Sequence, residues 1–455
     1  MPRYETDNKF WEIELAGSKS TQKWGKTGGS VSMNSKECGS PEAAKKAYDK
    51  AIAKKESEGF VLVGKPKKGR EAAKPAKPAA PTGQANPALD KAILANPDDT
   101  DAYLVLADWL QGQGDARGEL IALQHAGKKK EATALLKKHP ELVPTITPKP
   151  ETYTVEWAHG FLTSAHLGWS MYTNEMMGEE GEEPDDWGDA CKKALVAFLQ
   201  HPSARFLQSL RLGCIPSDEG LYLNPYAAAI EKAAPPCLRV LRIDDTQDWD
   251  ISSTNAKAPA GRALPQLQEL VISAGHIDIG KLEFSELRTL KVISGSLRVG
   301  ELKAISNAKL PKLEYLEIWC GDPNYGASGG VKQLAPLFTG SNVPKLTHLG
   351  LRNCAFADEA IKALIKSKLL PQLKSLDLSM GNLSDRGVDE LAAHKDAFQH
   401  LDLLDVDDNA LTDASRPRLK GCAKKLNWGK RTQTPERAVP RSKETRWQRY
   451  VSVGE

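Results

Sequence analysis

One template recurs through the second half of this 455-residue chain: L-x-x-L-x-L, with Ile or Val accepted at the third apolar place. It occurs eight times, at Leu207/Leu210/Leu212, Leu238/Leu241/Ile243, Leu267/Leu270/Ile272, Leu287/Leu290/Val292, Leu313/Leu316/Ile318, Leu346/Leu349/Leu351, Leu373/Leu376/Leu378 and Leu401/Leu404/Val406. Successive starts are 31, 29, 20, 26, 33, 27 and 28 residues apart, a mean of about 27.7. A period of roughly 20–50 residues marks stacked supersecondary units, each too small to bury its own apolar face. The last two apolar places flank a single residue, the period-two pattern of a strand. Between templates, ADEAIKALIKSKLL and SDRGVDELAAH have helical spacing, and Ser384 stands as N-cap of the second.

These words resemble the leucine-rich repeat, in its longer variety with a helix in each repeat. The resemblance implies an α/β solenoid of about eight repeats over residues 207–415, irregular in curvature. Its strands would turn leucines inward and set the residue between them on a concave face. In order that residue is Arg211, Arg242, Val271, Lys291, Glu317, Gly350, Asp377 and Asp405, a row passing from basic to acidic. Two places later come Gly213, Asp244, Ser273, Ile293, Trp319, Arg352, Ser379 and Asp407. Trp319, with Tyr315 on the same strand, is an aromatic anchor of the kind that dominates binding hot spots. The expected partner-binding set is Arg211, Arg242, Lys291, Tyr315, Glu317, Trp319, Arg352, Asp377 and Asp405, and the expected partner is a protein. The Asn or Cys that follows the strand in this family stands here as Asn409, Cys354 and, one residue late, Asn382. Asp405, Asp407 and Asp408 are placed by the repeat template itself, so no metal site is assigned to them.

Residues 1–63 follow a different pattern. Phe10-Trp11-Glu12-Ile13-Glu14-Leu15 alternates as a half-buried strand, and Gly17, Gly28 and Gly29 punctuate the segments that follow. Ser40-Pro41 opens a helix as N-cap and first helical residue, with an apolar stripe of Ala44, Ala47, Tyr48, Ala51 and Ile52. A small antiparallel sheet with one helix packed on it is expected. The run KFWEIEL, KWGKTGG and SPEAAKKAYDKAIAKKESEGF resembles the WGR domain. That domain contacts DNA ends in poly(ADP-ribose) polymerases, and in bacteria it also occurs with no polymerase domain. Here the motif reads Trp24-Gly25-Lys26, so lysine keeps the charge of the usual arginine but loses its planar fork. The resemblance implies nucleic-acid contact through Trp24, Gly25 and Lys26. Lys23 beside them is a further cation for phosphate, and no polymerase segment follows.

The remaining stretches organise around these two regions. Residues 64–88 hold five Pro, seven Ala and six basic residues against one acid, the composition of an extended linker. Residues 89–142 have four helical stripes, and ADWL, GD, RGE and LQ resemble a short bacterial domain that accompanies repeat arrays. Asp108, Asp115, Arg117 and Glu119 of that run are read as a structural network joining helix ends. Residues 150–206 are a transition and cap, with strand material at Trp157, Phe161, Leu162, Leu167 and Trp169. Eight acids and no base lie between 175 and 189, without the spacing of a calcium loop. Residues 416–455 form a basic tail. The expected fold class is therefore multidomain α+β: a WGR-like sheet and helix, a short helical domain, then the solenoid.

Charge sharpens the functional expectation. The net charge of +3 is a cancellation: +7 over residues 1–88, −13 over 89–415 and +9 over 416–455. A polyanion, if bound, belongs to the two ends, not the acidic body. Seven scattered cysteines with no C-x-x-C pair, and no apolar leader at the N-terminus, lead us to expect reduced thiols and a cytoplasmic location. No apolar run approaches the roughly 20 residues of a membrane span. No phosphate loop, dinucleotide fingerprint, H-E-x-x-H or nucleophile elbow is present. The expectation is a non-enzymatic interaction or scaffold protein without cofactor, whose repeats bind a protein while the first domain docks a second macromolecule. The alternative is a DNA- or RNA-associated regulator gripping phosphates through residues 1–88 and 416–455.

Overall fold

The computed structural model describes residues 3–6, 9–16, 19–26, 31–38, 40–58, 60–63, 83–169, 187–213, 215–217, 220–245, 254–409, 411–428, 439–440 and 447–448. Most of the Pro/Ala/Lys linker, most of the acidic run after residue 170 and most of the basic tail lie outside them. The chain divides into two compact units, Met1–Lys77 and Pro78–Glu455.

The first unit is a five-stranded antiparallel sheet with one helix. Strands β1 (Arg3–Thr6), β2 (Lys9–Ala16), β3 (Lys19–Lys26), β4 (Val31–Glu37) and β5 (Val61–Val63) stand in the order β4-β3-β2-β1-β5. Helix α1 (Pro41–Ser57) starts where expected, the Ser40 hydroxyl accepting the Ala43 N–H at 3.1 Å. Tyr4, Trp11 and Ile13 are buried, and Tyr48, Ala51 and Ile52 of α1 pack on them. Burying the aromatic row under one apolar helix stripe gives this small unit its core.

The second unit opens with α2 (Pro87–Ala95), α3 (Thr100–Gly112), α4 (Ala116–His125) and α5 (Lys129–Lys138). A hairpin follows, β6 (Thr152–Ala158) and β7 (Phe161–Gly168), and then α6 (Trp187–Leu199). The sequence motifs here have a packing cause. At Gly118 a Cβ would lie 2.6 Å from the Ala107 carbonyl oxygen, so glycine is what lets α4 close on α3. Arg117 is 2% exposed and donates to the Gly160 carbonyl at 2.7 Å and the Ser203 hydroxyl at 3.0 Å. Gln124 accepts the Gly160 N–H at 2.7 Å. His159 and Gly160 both have positive φ, the conformation of a tight hairpin turn, so Arg117 and Gln124 clamp that turn onto α4. Ile93, Tyr103, Leu106, Ile121, Phe161 and Phe206 then form one shared core.

From β7 onward the backbone builds a large sheet. β8 (Ser209–Gly213), β11 (Val240–Asp245), β13 (Glu269–Ser273), β15 (Thr289–Ile293), β16 (Tyr315–Gly321), β17 (His348–Cys354), β18 (Ser375–Asp377), β19 (Leu403–Asp405) and β20 (Lys425–Asn427) lie side by side in chain order. All neighbouring pairs from β7 to β20 are parallel. One column runs through them in register: Ala165, Leu210, Leu241, Leu270, Leu290, Leu316, Leu349, Leu376, Leu404, Leu426. Nearly all of these side chains are fully buried, so a polar residue at the second leucine of the template would be costly. The last strand, at Leu426, carries no template and lay beyond the eight expected ones.

The connections depart from a helix in every repeat. Helices α7 (Asn224–Ala233), α8 (Val299–Asn307), α9 (Ala335–Phe338), α10 (Ala357–Ile365) and α11 (Asp385–Ala393) occupy some of them. Between β11 and β15 the described residues hold short strands instead, β12 (Thr254–Lys257) and β14 (His276–Asp278). These join β9 (Ile215–Ser217) and β10 (Gly220–Tyr222) in a second sheet of four. The 20-residue spacing after Leu267 leaves too little chain for a helix, and β14 closes the loop directly.

Later turns are tied by side chains one period apart. Asp358 accepts the Ser384 N–H at 2.9 Å and its hydroxyl at 2.5 Å, and Asp385 accepts the Thr412 N–H at 3.1 Å and its hydroxyl at 2.8 Å. Ser384 caps α11 through the Arg386 N–H, as its sequence position indicates. Asn409 is buried and bridges two turns, donating to Leu378 O at 2.8 Å and accepting the Leu383 N–H at 3.0 Å.

Candidate interaction surface

The residue between the two inward places lies, as alternation requires, on the side of the sheet away from the leucine column. Its exposure is uneven. Arg242 is exposed and Arg211, Lys291, Asp377 and Asp405 are partly exposed, but Val271, Glu317 and Gly350 are buried. Glu317 is therefore corrected from a contact residue to a buried one, at 3% exposure. The cause is local crowding: Tyr315 and Trp319 flank it on its own strand, and Lys291 and Arg352 close over it from β15 and β17.

Glu317 is the hub of this cluster. Its Oε2 accepts the Tyr315 hydroxyl at 2.8 Å and lies 3.2 Å from Lys291 Nζ. Its Oε1 accepts the Trp319 indole N–H at 2.7 Å and Arg352 Nη1 at 3.1 Å. Burial pushes its carboxyl up, but the two aromatic donors and the two cations outweigh this and hold it at about 2. Burial, and then the bond to Glu317, push the Tyr315 phenol above its ordinary value. Gly350 on β17 gives the carboxylate room, since a Cβ there would stand 3.3 Å from Glu317 Cγ.

The aromatic rings are held from outside as well. Lys291 Nζ sits 4.9 Å from the Tyr315 ring centre, and the Arg352 guanidinium 5.1 Å from that of Trp319. His348 stacks on Tyr315 at 3.9 Å with 6° between planes, and burial lowers its pKa to about 4, so the ring is neutral at pH 7. Sequence reasoning missed His348. Its signal was present, because His348 occupies the same template place on β17 as Tyr315 does on β16. Arg352 Nε also reaches Asp377 at 3.4 Å and the Ser379 hydroxyl at 3.0 Å. Burial raises the Asp377 carboxyl despite the Ser379 hydrogen bonds.

The row's first cations are not part of this hub. Arg211 pairs with Asp244 at 2.7 Å and Arg242 with Glu269 at 2.6 Å, each reaching one strand onward. At the far end Asp405 accepts the Asn427 amide at 2.8 Å and the Asp407 N–H at 3.0 Å. The nine expected contact residues thus form three groups: two exposed ion pairs, a central aromatic and cationic knot, and a carboxylate end.

In the first unit, β3 carries Trp24 41% exposed, opposite the buried Trp11 of β2. Trp24 is not core; Trp11, which donates its indole N–H to Gln22 at 3.1 Å, fills that role. Lys23 does not join Trp24. Strand alternation sends it to the other face, opposite Glu12 and Met33. Gly25 pairs with Phe10, and Lys26 closes β3 opposite Lys9.

Five antiparallel strands, one covering helix and an exposed tryptophan in Trp24-Gly25 are now matched by a family comparison, in which the WGR-domain model covers residues 3–67. The first unit carries a WGR domain. A leucine-rich-repeat model matches residues 371–392, from the approach to β18 through most of α11. The WGR match ends before α2, and the repeat match takes in one strand of the large sheet and the helix that follows it. A search of curated proteins found no match. A solved structure of a protein from Bacteroides fragilis aligns over 94% of this chain and 95% of its own, at 20% identity and a TM-score of 0.45. Among the described residues, no helix is long and apolar enough to cross a membrane, and no group of three or more His, Cys, Asp or Glu is placed to hold a metal.

Proposed function

We propose that the protein is a non-enzymatic interaction scaffold, in which the large sheet is a leucine-rich-repeat solenoid of about eight repeats binding a protein partner on its concave face. The Glu317-centred knot carries this reading. Tyr315 and Trp319 are large, partly exposed and already fixed by hydrogen bonds and cations, so little side-chain freedom is lost on docking. Aromatic side chains held in this way are the usual anchors of binding hot spots. The neighbouring ion pairs and the Asp377–Asp405 end supply a polar surround with a direction, favouring a partner that presents acid to Arg352 and base to Asp405. The polar groups of the knot bind one another, which keeps the two aromatic anchors in place before a partner arrives.

The test is affinity capture with the full chain as bait. Partners retained by the native protein are expected to be lost with Trp319→Ala and kept with Trp24→Ala. An identical set of captured proteins for native and Trp319→Ala baits would sink the assignment of this face.

One observation favours a second role for the WGR domain. Trp24 is exposed on a strand that ends in Lys26, the arrangement a stacking contact requires, and such contacts contribute about 1–3 kcal/mol per base. In this reading the domain docks nucleic acid while the repeats hold a protein. Fluorescence anisotropy with a short DNA should show binding at low salt that weakens steeply as salt rises. Trp24→Ala should weaken it about tenfold, and Lys23→Ala, on the other face, much less. Absence of binding at low salt would end this role.

A further inference from the structure

A second site lies away from the strand row, where the first turns of α7 and α8 meet the small sheet at β12 and β14. A cavity of about 230 Å³ opens there, lined by Asn224, Asn255, His276, Ser296, Arg298 and Glu301. We propose that this cavity binds a small zwitterion carrying a carboxylate and an ammonium group, of which a free α-amino acid is the simplest.

A buried carboxylate oxygen without a donor, beside an exposed arginine that meets no carboxylate, carries the inference. Among the described residues the Arg298 side chain meets no carboxylate; its contact is His276 Nδ1, at 3.3 Å from Nη2. Glu301, one turn along α8, has a buried Oε2 with no hydrogen-bond partner. Four other basic side chains of this unit do meet carboxylates: Arg211 with Asp244, Arg242 with Glu269, Arg288 with Glu314, Lys312 with Glu286. An unpartnered buried carboxylate oxygen is costly unless something donates to it. A simple anion would suit Arg298 but be repelled by Glu301, and a simple cation the reverse. A ligand with both charges satisfies both groups.

The rest of the lining fits that chemistry. Ser296 gives its hydroxyl proton to the Gly275 carbonyl, so His276 Nδ1, 3.1 Å from Ser296 Oγ, is left to accept from Arg298. Arg298 is the N-cap of α8 and makes no side-chain capping bond, so its side chain is not drawn back onto the helix. A carboxylate beside it would also meet the positive end of α8. The Asn224 and Asn255 amides offer neutral donors and acceptors. Asp278, at the rim, is matched by Lys257 at 3.1 Å and does not compete for the ammonium group. The volume is below the roughly 300–1,000 Å³ of drug-sized pockets and suits a ligand of amino-acid size.

Isothermal titration of the full chain with L-serine, L-aspartate and L-lysine, with acetate and methylamine as half-ligands, tests this. At least one amino acid is expected to bind at least about tenfold more tightly than either half-ligand. Arg298→Gln and Glu301→Gln should each weaken it about tenfold or more. Melting curves of the two variants report whether either has lost its fold. Should one fail to fold, Asn224→Ala leaves both charges in place and is expected to weaken binding by several-fold. Absence of binding by all three amino acids overturns the proposal and leaves a cavity filled by water. Acetate binding as tightly as the amino acids, unchanged in Glu301→Gln, would overturn it in favour of a plain anion site.

Discussion

The opening strands of the charged row and its middle strands balance similar charges in different surroundings. Arg211 and Arg242 keep 43% and 45% of their side chains in solvent, and each pairs with a carboxylate on the next strand. Glu317 keeps 3%, and two cations and two aromatic donors serve it together. In water an ion pair gains little, because solvent serves each charge nearly as well and salt screens both. Under Trp319 and Tyr315 no solvent replaces a lost partner, so each contact depends on all the others. The same residue types thus form a tolerant surface at one end and a rigid, orienting knot in the middle.

The comparison breaks first at Glu317. Glu317→Ala leaves Lys291 and Arg352 without their shared carboxylate and is expected to destabilise the unit by about 3–5 kcal/mol in urea denaturation. A loss under about 1 kcal/mol would show that the knot behaves like the exposed pairs.

Acid probes the same contrast without mutation. Glu317 is held at about 2 against an ordinary value of 4.5, so its contribution is complete above pH 4.5 and disappears as pH falls toward 2. That contribution is on the order of 3 kcal/mol. His348 and His201 are both lowered to about 4 by burial. Each takes up a proton more readily when unfolded, so stability already declines as pH falls from about 6.5 toward 4. Melting temperature should therefore drop in two stages, and the lower stage should be clearly smaller in Glu317→Gln, with the remainder from other lowered carboxylates such as Asp385. A single stage shared by both proteins would contradict the assignment.

The smallest effect belongs to the exposed pairs. Arg242→Ala is expected to cost less than about 1 kcal/mol, and raising salt should shrink even that difference. A larger, salt-independent loss would place Arg242 with the middle of the row.

Much of this architecture was legible from residue spacing. The column from Leu210 to Leu404 appears in the sheet with the leucines paired as the template aligns them. Ser40 and Ser384 cap the helices they precede. The α4 motif, with its buried Arg117, was legible as a structural network but not as a clamp on a hairpin 43 residues away. Spacing also failed between β11 and β15, where the expected helices are replaced by strands of a second sheet. The final strand at Leu426 escaped notice because it completes only one place of the template.

Sequence alone therefore determined which side chains face the core, because strand period and repeat length are local properties that pairing must respect. It also marked Trp319, Tyr315 and Trp24 as the residues to watch. Only the tertiary structure decided which of the outward residues remain accessible. That depends on neighbours about one repeat away: Lys291 and Arg352 close over Glu317, while Arg242 meets a single carboxylate and stays in water. The charges of Arg298 and Glu301 were hidden for the same reason, since exposure and charge balance are set by contacts that no single stretch of sequence contains.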